Sequence, residues 1–339
     1  MVRRLHRLLL IAAVAALAAG CDENKSPATQ TSASTPGTEH PFADIHGWIV
    51  YGEDNGIWAI KPTPPGGNRP KLIRLTDEAG EPVAWSHDGS KLLMIRRDMT
   101  AIAPQDVFIL NGIGIEKRIV RMTGGPGFAS LSPDGSEIVY SSVESAIYLV
   151  SAEGGDARLL LPRHRRWYAS EKRSFRTELF AATFSPDGSQ IAYVDGMGDW
   201  GNSIRVMDAN GSHVRVLVDW RRARGRQKDA MDNHVYRLSW SPDGSRLAFD
   251  TDDGIWVVDS DGSGLRMVIR HGHNPTWSPD GSRLGYATWS ELGTWSGVRL
   301  RIADPDGSDV QTLAHIDSGS ESEWFTGPGP WNPLEPASS

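Results

Sequence analysis

Residues Arg237 to Ile269 run RLSWSPDGSRLAFDTDDGIWVVDSDGSGLRMVI, which parses as strand, SPDG turn, strand, DDG turn, strand, SDGSG turn, strand. Pro at the second and Gly at the fourth place of SPDG suit a type I turn followed by a left-handed residue, and the Asp can accept bonds from the local backbone. The phrase recurs as SHDGSK at Ser86, SPDGSE at Ser132, SPDGSQ at Ser185, SPDGSR at Ser241 and SPDGSR at Ser278. Successive Asp residues (Asp88, Asp134, Asp187, Asp243, Asp280) are 46, 53, 56 and 37 residues apart, close to the roughly 40–50 residues of one four-stranded propeller blade. The strands between turns are apolar at consecutive positions (Leu247-Ala248-Phe249, Ile255-Trp256-Val257-Val258). Both faces of each sheet must therefore be covered, as a radial array of sheets achieves.

Trp85, Trp240, Trp277 and Trp324, with Leu131 and Phe184 at the equivalent places, are expected to end the inner strands as core residues; an aromatic-lined channel is the alternative. Gly47 to Thr76 supplies three strands and no SPDG phrase precedes it. Ser322-Glu323-Trp324-Phe325-Thr326-Gly327-Pro328-Gly329 aligns with the turn phrase at Trp277, and Trp324 lies 47 residues beyond that tryptophan. The expected fold is an all-β, six-bladed propeller of four-stranded blades over residues 45–332, its ring closed by N- and C-terminal strands sharing one blade. Shared closure removes exposed strand edges. A seventh blade would need another repeat, and none is found. Gly 36, Pro 21 and Trp 13 in 339 residues suit short strands and tight turns.

The N-terminus is a separate object. Arg3, Arg4 and Arg7 precede an apolar run from Leu8 to Leu17, and Ala18-Ala19-Gly20 leads into Cys21. This is an export signal over residues 1–20, too short for comfortable spanning of a bilayer, which takes roughly 20 apolar residues. It resembles the bacterial lipoprotein signal, whose cysteine becomes the lipid-modified first residue. Cys21 is the only cysteine, so disulfides are excluded and an unpaired exported thiol finds its explanation. Residues 21–44, beginning DENKSPATQTSASTPGTEHP at Asp22, form a polar tether, and 333–339 form a tail. Loss of three arginines with the signal takes the formal charge from −7 to −10, which argues against nucleic acid as a partner.

The pattern WSPDGSRLAF…GIWVVDSDGS…LRMV looks like the TolB-type propeller repeat, over about residues 45–332. The resemblance implies the fold and an exported setting. TolB carries an α/β domain ahead of its propeller where this chain has a short tether, so its role is not carried over. Related propellers accompany prolyl-oligopeptidase-like hydrolases, but no G-x-S-x-G elbow occurs here, and neither a zinc-protease signature nor a P-loop is present.

The repeated Asp residues are expected to be structural, because one turn satisfied five times over is a backbone device. Asp259-Ser-Asp261-Gly and Asp304-Pro-Asp306-Gly resemble the start of a calcium loop but lack its later ligands; turns between outer strands are expected. Two segments depart from the repeat, and both are basic. One holds Arg163, His164, Arg165, Arg166, Trp167, Tyr168, Lys172, Arg173 and Arg176; the other holds Trp220, Arg221, Arg222, Arg224, Arg226 and Lys228. Each joins the outer strand of one blade to the inner strand of the next, so both belong on one face. They would suit an anionic partner; the competing reading is solvated loops paired with Glu171, Asp219 and Asp229. His164, His234, His271 and His273 fall in same-face connections, and His234, His271 and His273 are the candidates for a metal site, although no ligand spacing demands one.

The leading expectation is a non-catalytic, lipid-anchored envelope protein, facing the periplasm or extracytoplasmic space, whose propeller binds a protein or anionic envelope component. It is expected to be monomeric, without a cofactor, and to touch the membrane through its anchor only. Asp22 after Cys21 resembles the signal that keeps lipoproteins on the inner membrane. A metal-dependent, lyase-like carbohydrate enzyme and a purely structural envelope component are the alternatives.

Overall fold

The computed structural model describes residues 42–53, 56–62, 71–97, 105–113, 116–122, 128–142, 145–168, 173–176, 178–196, 203–219, 234–288, 298–316 and 328–331. Blade 1 contains β1 (Ile49–Glu53), β2 (Gly56–Ile60) and β3 (Leu72–Thr76). Blade 2 contains β4 (Glu81–Trp85), β5 (Leu92–Arg97), β6 (Gln105–Leu110) and β7 (Glu116–Met122); blade 3 contains β8 (Ala129–Leu131), β9 (Glu137–Ser141), β10 (Ile147–Ser151) and β11 (Arg158–Leu161). A hairpin, β12 (Arg165–Tyr168) and β13 (Arg173–Arg176), separates it from blade 4, which holds β14 (Glu178–Phe184), β15 (Gln190–Gly196), β16 (Ser203–Asp208) and β17 (Arg215–Asp219). Blade 5 is β18 (Val235–Trp240), β19 (Arg246–Thr251), β20 (Gly254–Asp259) and β21 (Arg266–Arg270), and blade 6 is β22 (His273–Trp277), β23 (Leu284–Thr288), β24 (Val298–Ala303) and β25 (Gln311–Ile316). The last strand, β26 (Pro328–Trp331), pairs antiparallel with β1 and completes blade 1. The molecule is thus a six-bladed β-propeller closed by its two terminal segments.

The closing strand lies further along than Trp324. Trp331 ends β26 as Trp277 ends β22, and Trp324 lies outside the described residues. Pro328 and Pro330 can stand in β26 because it is the inner, edge strand of its sheet, where missing amide donors cost little.

Each interface between neighbouring blades is filled by its own apolar cluster. Val50, Ile57 and Leu75 of blade 1 meet Trp85, Leu92 and Met94 of blade 2, while Val194, Ile204 and Val206 of blade 4 meet Trp240, Leu247 and Phe249 of blade 5. At the closing seam Ile49, Tyr51 and Ile60 meet Leu300, Ile302 and Leu313. This two-sided burial is why the strands lack alternation. Phe42, which precedes a short 3-10 helix (Ala43–Ile45), and Ile45, which ends it, are buried beside Trp48 and Trp85. Phe42, which the sequence places in the tether, is therefore part of the packed body.

The SPDG turns are self-contained. In all five, the Ser hydroxyl donates to the Asp carboxylate at 2.5–2.6 Å, and the amide of the second Ser donates to the same carboxylate at 3.0 Å. The Gly amide closes the turn onto the first Ser carbonyl, with Gly φ between +67° and +71°, a region glycine enters without steric cost. Where His87 replaces Pro, its amide gains a bond to Pro133 O of the next blade, 2.7 Å. The phrases at Asp259 and Asp304 are turns between the two outer strands: Gly262 N and Gly307 N each donate to the first Asp carbonyl at 2.8 Å.

Candidate functional site

Strand order divides the connections between the two ends of the ring. Turns from first to second strand and from third to fourth strand share one end; connections from second to third strand, and from each outer strand to the next blade, share the other. The SPDG turns belong to the first end. The strand ends that bound both basic segments belong to the second, at the consecutive junctions of blades 3 with 4 and 4 with 5. Arg163 is exposed, Arg165 and Arg166 stand on β12, and Arg173 stands on β13, with Arg165 opposite Arg176 and Tyr168 opposite Arg173. Lys172, Arg221, Arg222, Arg224 and Arg226 lie outside the described residues. A sequence dominated by arginine suggests a loop, yet RRWY and RSFR are short β-prone runs and pair antiparallel.

The histidines go to separate carboxylates. His234 Nδ1 lies 3.8 Å from Asp252, His273 Nδ1 lies 3.6 Å from buried Asp250, and His164 Nε2 lies 3.8 Å from fully buried Asp195, which also holds Arg205 Nε at 2.7 Å. His271 is exposed, with φ +54°. Among the described residues no group of three or more His, Cys, Asp or Glu is placed to hold a metal ion.

The inner strands surround an axial channel of about 450 Å3. Around the axis β4 neighbours β8, then β14, β18, β22, β26 and β4 again. At the turn end the wall is Trp85, Leu131, Phe184, Trp240, Trp277 and Trp331. The first five are no more than 8% exposed, so these residues are core and channel wall at once. Trp277 Nε1 donates to Ser239 O of the preceding blade at 3.1 Å, and Arg246 stacks over Trp277 with 4.6 Å to the ring centroid. Hydroxyls of Ser130, Thr183, Ser239 and Thr276 belong to residues of the next layer.

At the opposite end, three places before the terminal aromatic or leucine, the strands carry Pro82, Phe128, Ala181, Arg237, Asn274 and Pro328. Arg237 comes from blade 5 and forms an ion pair with Glu81 of blade 2, the blade directly across the axis. Glu81 is 4% exposed and Arg237 about a quarter exposed. The guanidinium carbon is 5.5 Å from the Phe128 ring centroid. Asp250 accepts the backbone amides of Arg237 (2.9 Å) and Asn274 (3.1 Å), fixing the irregular starts of β18 and β22. Burial pulls the Arg237 guanidinium below its ordinary pKa, with Asp250 opposing that pull. The Arg237–Glu81 pair is not visible in the sequence because its members are 156 residues apart. Alignment of the inner strands on their terminal aromatics would have exposed Arg237 as the only charged residue in its layer.

No protein-family model matches the chain, and no curated protein matches its sequence. Solved structures do. TolB from Acinetobacter baumannii is similar with a TM-score of 0.61 at 17% identity, over 85% of this chain and 67% of that one. A putative TolB from Agrobacterium tumefaciens gives 0.53 at 24% identity, over 78% and 88%. A chain of a nidogen/laminin complex gives 0.55 at 13% identity, over 80% and 93%. At these identities the likeness is one of fold: the chain has a TolB-like six-bladed β-propeller.

Proposed function

We propose that this chain is a non-catalytic cell-envelope lipoprotein whose propeller binds a protein or polyanionic partner at the end of the ring opposite the SPDG turns. What supports the reading is strand order: in a protein of net charge −7, the two arginine-rich segments lie in sequence between strands whose facing ends belong to the same end of the ring, at consecutive blade junctions. Cationic side chains gathered on one surface attract an anionic partner and raise its encounter rate. The turn end offers less, since each repeated Asp is engaged by its own turn. Cys21, following an apolar run and small residues, supplies the anchor, and the polar stretch after it lets the propeller stand off a membrane.

Cross-linking in cells, with the arginines of both connections changed to serine, tests the reading. Loss of the captured partner is expected, and recovery of the same partner in the same amount would remove the basic connections from it. For the anchor, labelled palmitate should be incorporated into the wild-type protein and not into Cys21→Ser. A Cys21→Ser protein that stays with the membrane fraction would refute lipid anchoring there.

A further inference from the structure

Arg237 is the only lysine or arginine among the described residues that line the axial channel. The rest of the wall is largely apolar, with four hydroxyl-bearing residues in one layer and tryptophans beyond. A cavity of about 450 Å3 with few convergent polar groups lies within the ~300–1,000 Å3 range of small-molecule sites. Arg237 and Glu81 close its mouth from opposite blades. Buried ion pairs stabilise poorly compared with apolar packing, and this one adds nothing to ring closure, which β26 and the blade 6 to blade 1 seam already provide. Every other strand closes the same layer with an uncharged residue. What the pair does supply is a guanidinium fork suited to a carboxylate, held at the mouth of an apolar chamber and occupied by a carboxylate of the protein itself.

We propose that the channel is a binding site for an organic carboxylate with an aromatic or aliphatic body, in which the ligand's carboxylate displaces Glu81 from Arg237 and its body lies among the channel tryptophans. Exchange of one carboxylate for another keeps the guanidinium paired throughout, so the Arg237 charge is never stranded, and what the ligand must offset is the displacement of Glu81. Glu81 is buried at the first residue of β4, next to the connection from blade 1, and the exchange requires its side chain to rotate out of the pair. Asp250 is a positioning residue: by holding the amides of Arg237 and Asn274 it sets the strand irregularity from which the guanidinium projects. The site is independent of the arginine-rich connections, so the serine variants described above leave it intact, and failure of either idea is visible without the other.

Calorimetric titration of the purified protein with 4-phenylbutyrate, and with neutral 4-phenylbutyramide, provides the test. The carboxylate should bind and the amide should not. Glu81→Gln removes the competing charge and should tighten carboxylate binding by about tenfold, the effect of about one charge-assisted hydrogen bond. Arg237→Gln should abolish binding, and Arg237→Lys should weaken it by losing the fork. A gain of affinity in Glu81→Gln cannot arise from misfolding, which keeps the idea exposed to refutation if Arg237→Gln folds badly. Equal affinity for acid and amide, binding undiminished in Arg237→Gln, or no binding by Glu81→Gln would each overturn it.

Discussion

Gly285→Ala probes the closing seam with a single methyl group. Gly285 is buried in β23 opposite Thr276, and a Cβ there would lie 2.9 Å from Thr276 Cγ2, 3.0 Å from Trp331 Nε1 and 3.5 Å from Ile49 Cδ1. Two of these three neighbours belong to blade 1 and reach across from the strands that close the ring. In an unconstrained strand, replacing Gly by Ala stabilises by about 0.5–1 kcal/mol, because less backbone entropy is lost on folding. Overpacking of a well-filled core costs about 1–3 kcal/mol, and two contacts near 3 Å place this site well within that range. The net expectation is destabilisation by about 1–2 kcal/mol, seen as a lower urea midpoint at unchanged m-value. The decisive arm is the double-mutant cycle. Trp331→Ala alone should cost about 3 kcal/mol, the low end for a large aromatic, since Trp331 is only half-buried. In that background the new methyl has room on its seam side, so Gly285→Ala should cost about 1 kcal/mol less than in the wild type. Thr276→Ser added to both should make it neutral. If Gly285→Ala is neutral in the wild type, or its cost is the same with Trp331 absent, the C-terminal strand does not seat against β23 and the closure described above is wrong.

Two glycines with left-handed φ separate backbone strain from blade packing. At Gly155 (φ +110°) an added methyl would have nothing within 4 Å, whereas at Gly307 (φ +88°) it would lie 1.9 Å from Val268 O of the preceding blade. Both alanine variants carry about 1–3 kcal/mol of strain; Gly307→Ala should cost at least a further 1–3 kcal/mol, and equal urea midpoints would contradict the packing of that turn on β21. The Ser241 hydroxyl, then the Ser245 amide and hydroxyl, hold the Asp243 carboxyl down to about 2. A depressed carboxylate contributes stability above its unfolded pKa of about 3.9 and loses it as pH falls through about 2, so the loss of stability between pH 5 and pH 2 should be smaller in Asp243→Asn; an identical pH profile would dismiss the turn as its source. Ser241→Ala should cost about 1–3 kcal/mol at neutral pH by leaving the Arg246 amide without its 2.9 Å acceptor, whereas an exposed serine would cost almost nothing. Arg237→Met should cost about 2–4 kcal/mol by stranding Glu81, and Glu81→Leu with Arg237→Met should recover most of it; additive losses would mean the two groups are not paired.

What is legible in the sequence is whatever is encoded locally. Ser241, Pro242, Asp243 and Gly244 make their bonds within six residues, so five copies of one phrase disclose five turns and the blade spacing. Closure follows from a missing strand, but its position does not follow from the Trp-turn phrase: β26 ends in Trp331 with no SPDG after it, because the second strand of that blade, β1, comes from the N-terminal segment. Phe42 and Ile45 are hidden for a different reason. Two apolar residues in a polar stretch carry no periodicity, and only the surface of blades 1 and 2 tells them where to go. The Arg237–Glu81 pair is a property of opposite blades, so nothing near either residue announces the other.

The same distinction separates the two ends of the ring. At the turn end a mutation must preserve a bonding pattern repeated in every blade, because Ser, Asp and Gly there satisfy one another and lock the start of the second strand. At the other end the connections differ in length and charge from blade to blade, from His271 and Gly272 between β21 and β22 to residues 220–234 between β17 and β18. A ring stabilised by its turns and interblade clusters can vary the length and charge of those connections. Binding specificity has room to develop there. The expected consequence is that arginine-to-serine changes in residues 220–226 leave the unfolding free energy within about 0.5 kcal/mol of wild type, while Ser241→Ala and Gly285→Ala do not. A large loss of stability from the connection variants would mean that this end, too, belongs to the framework.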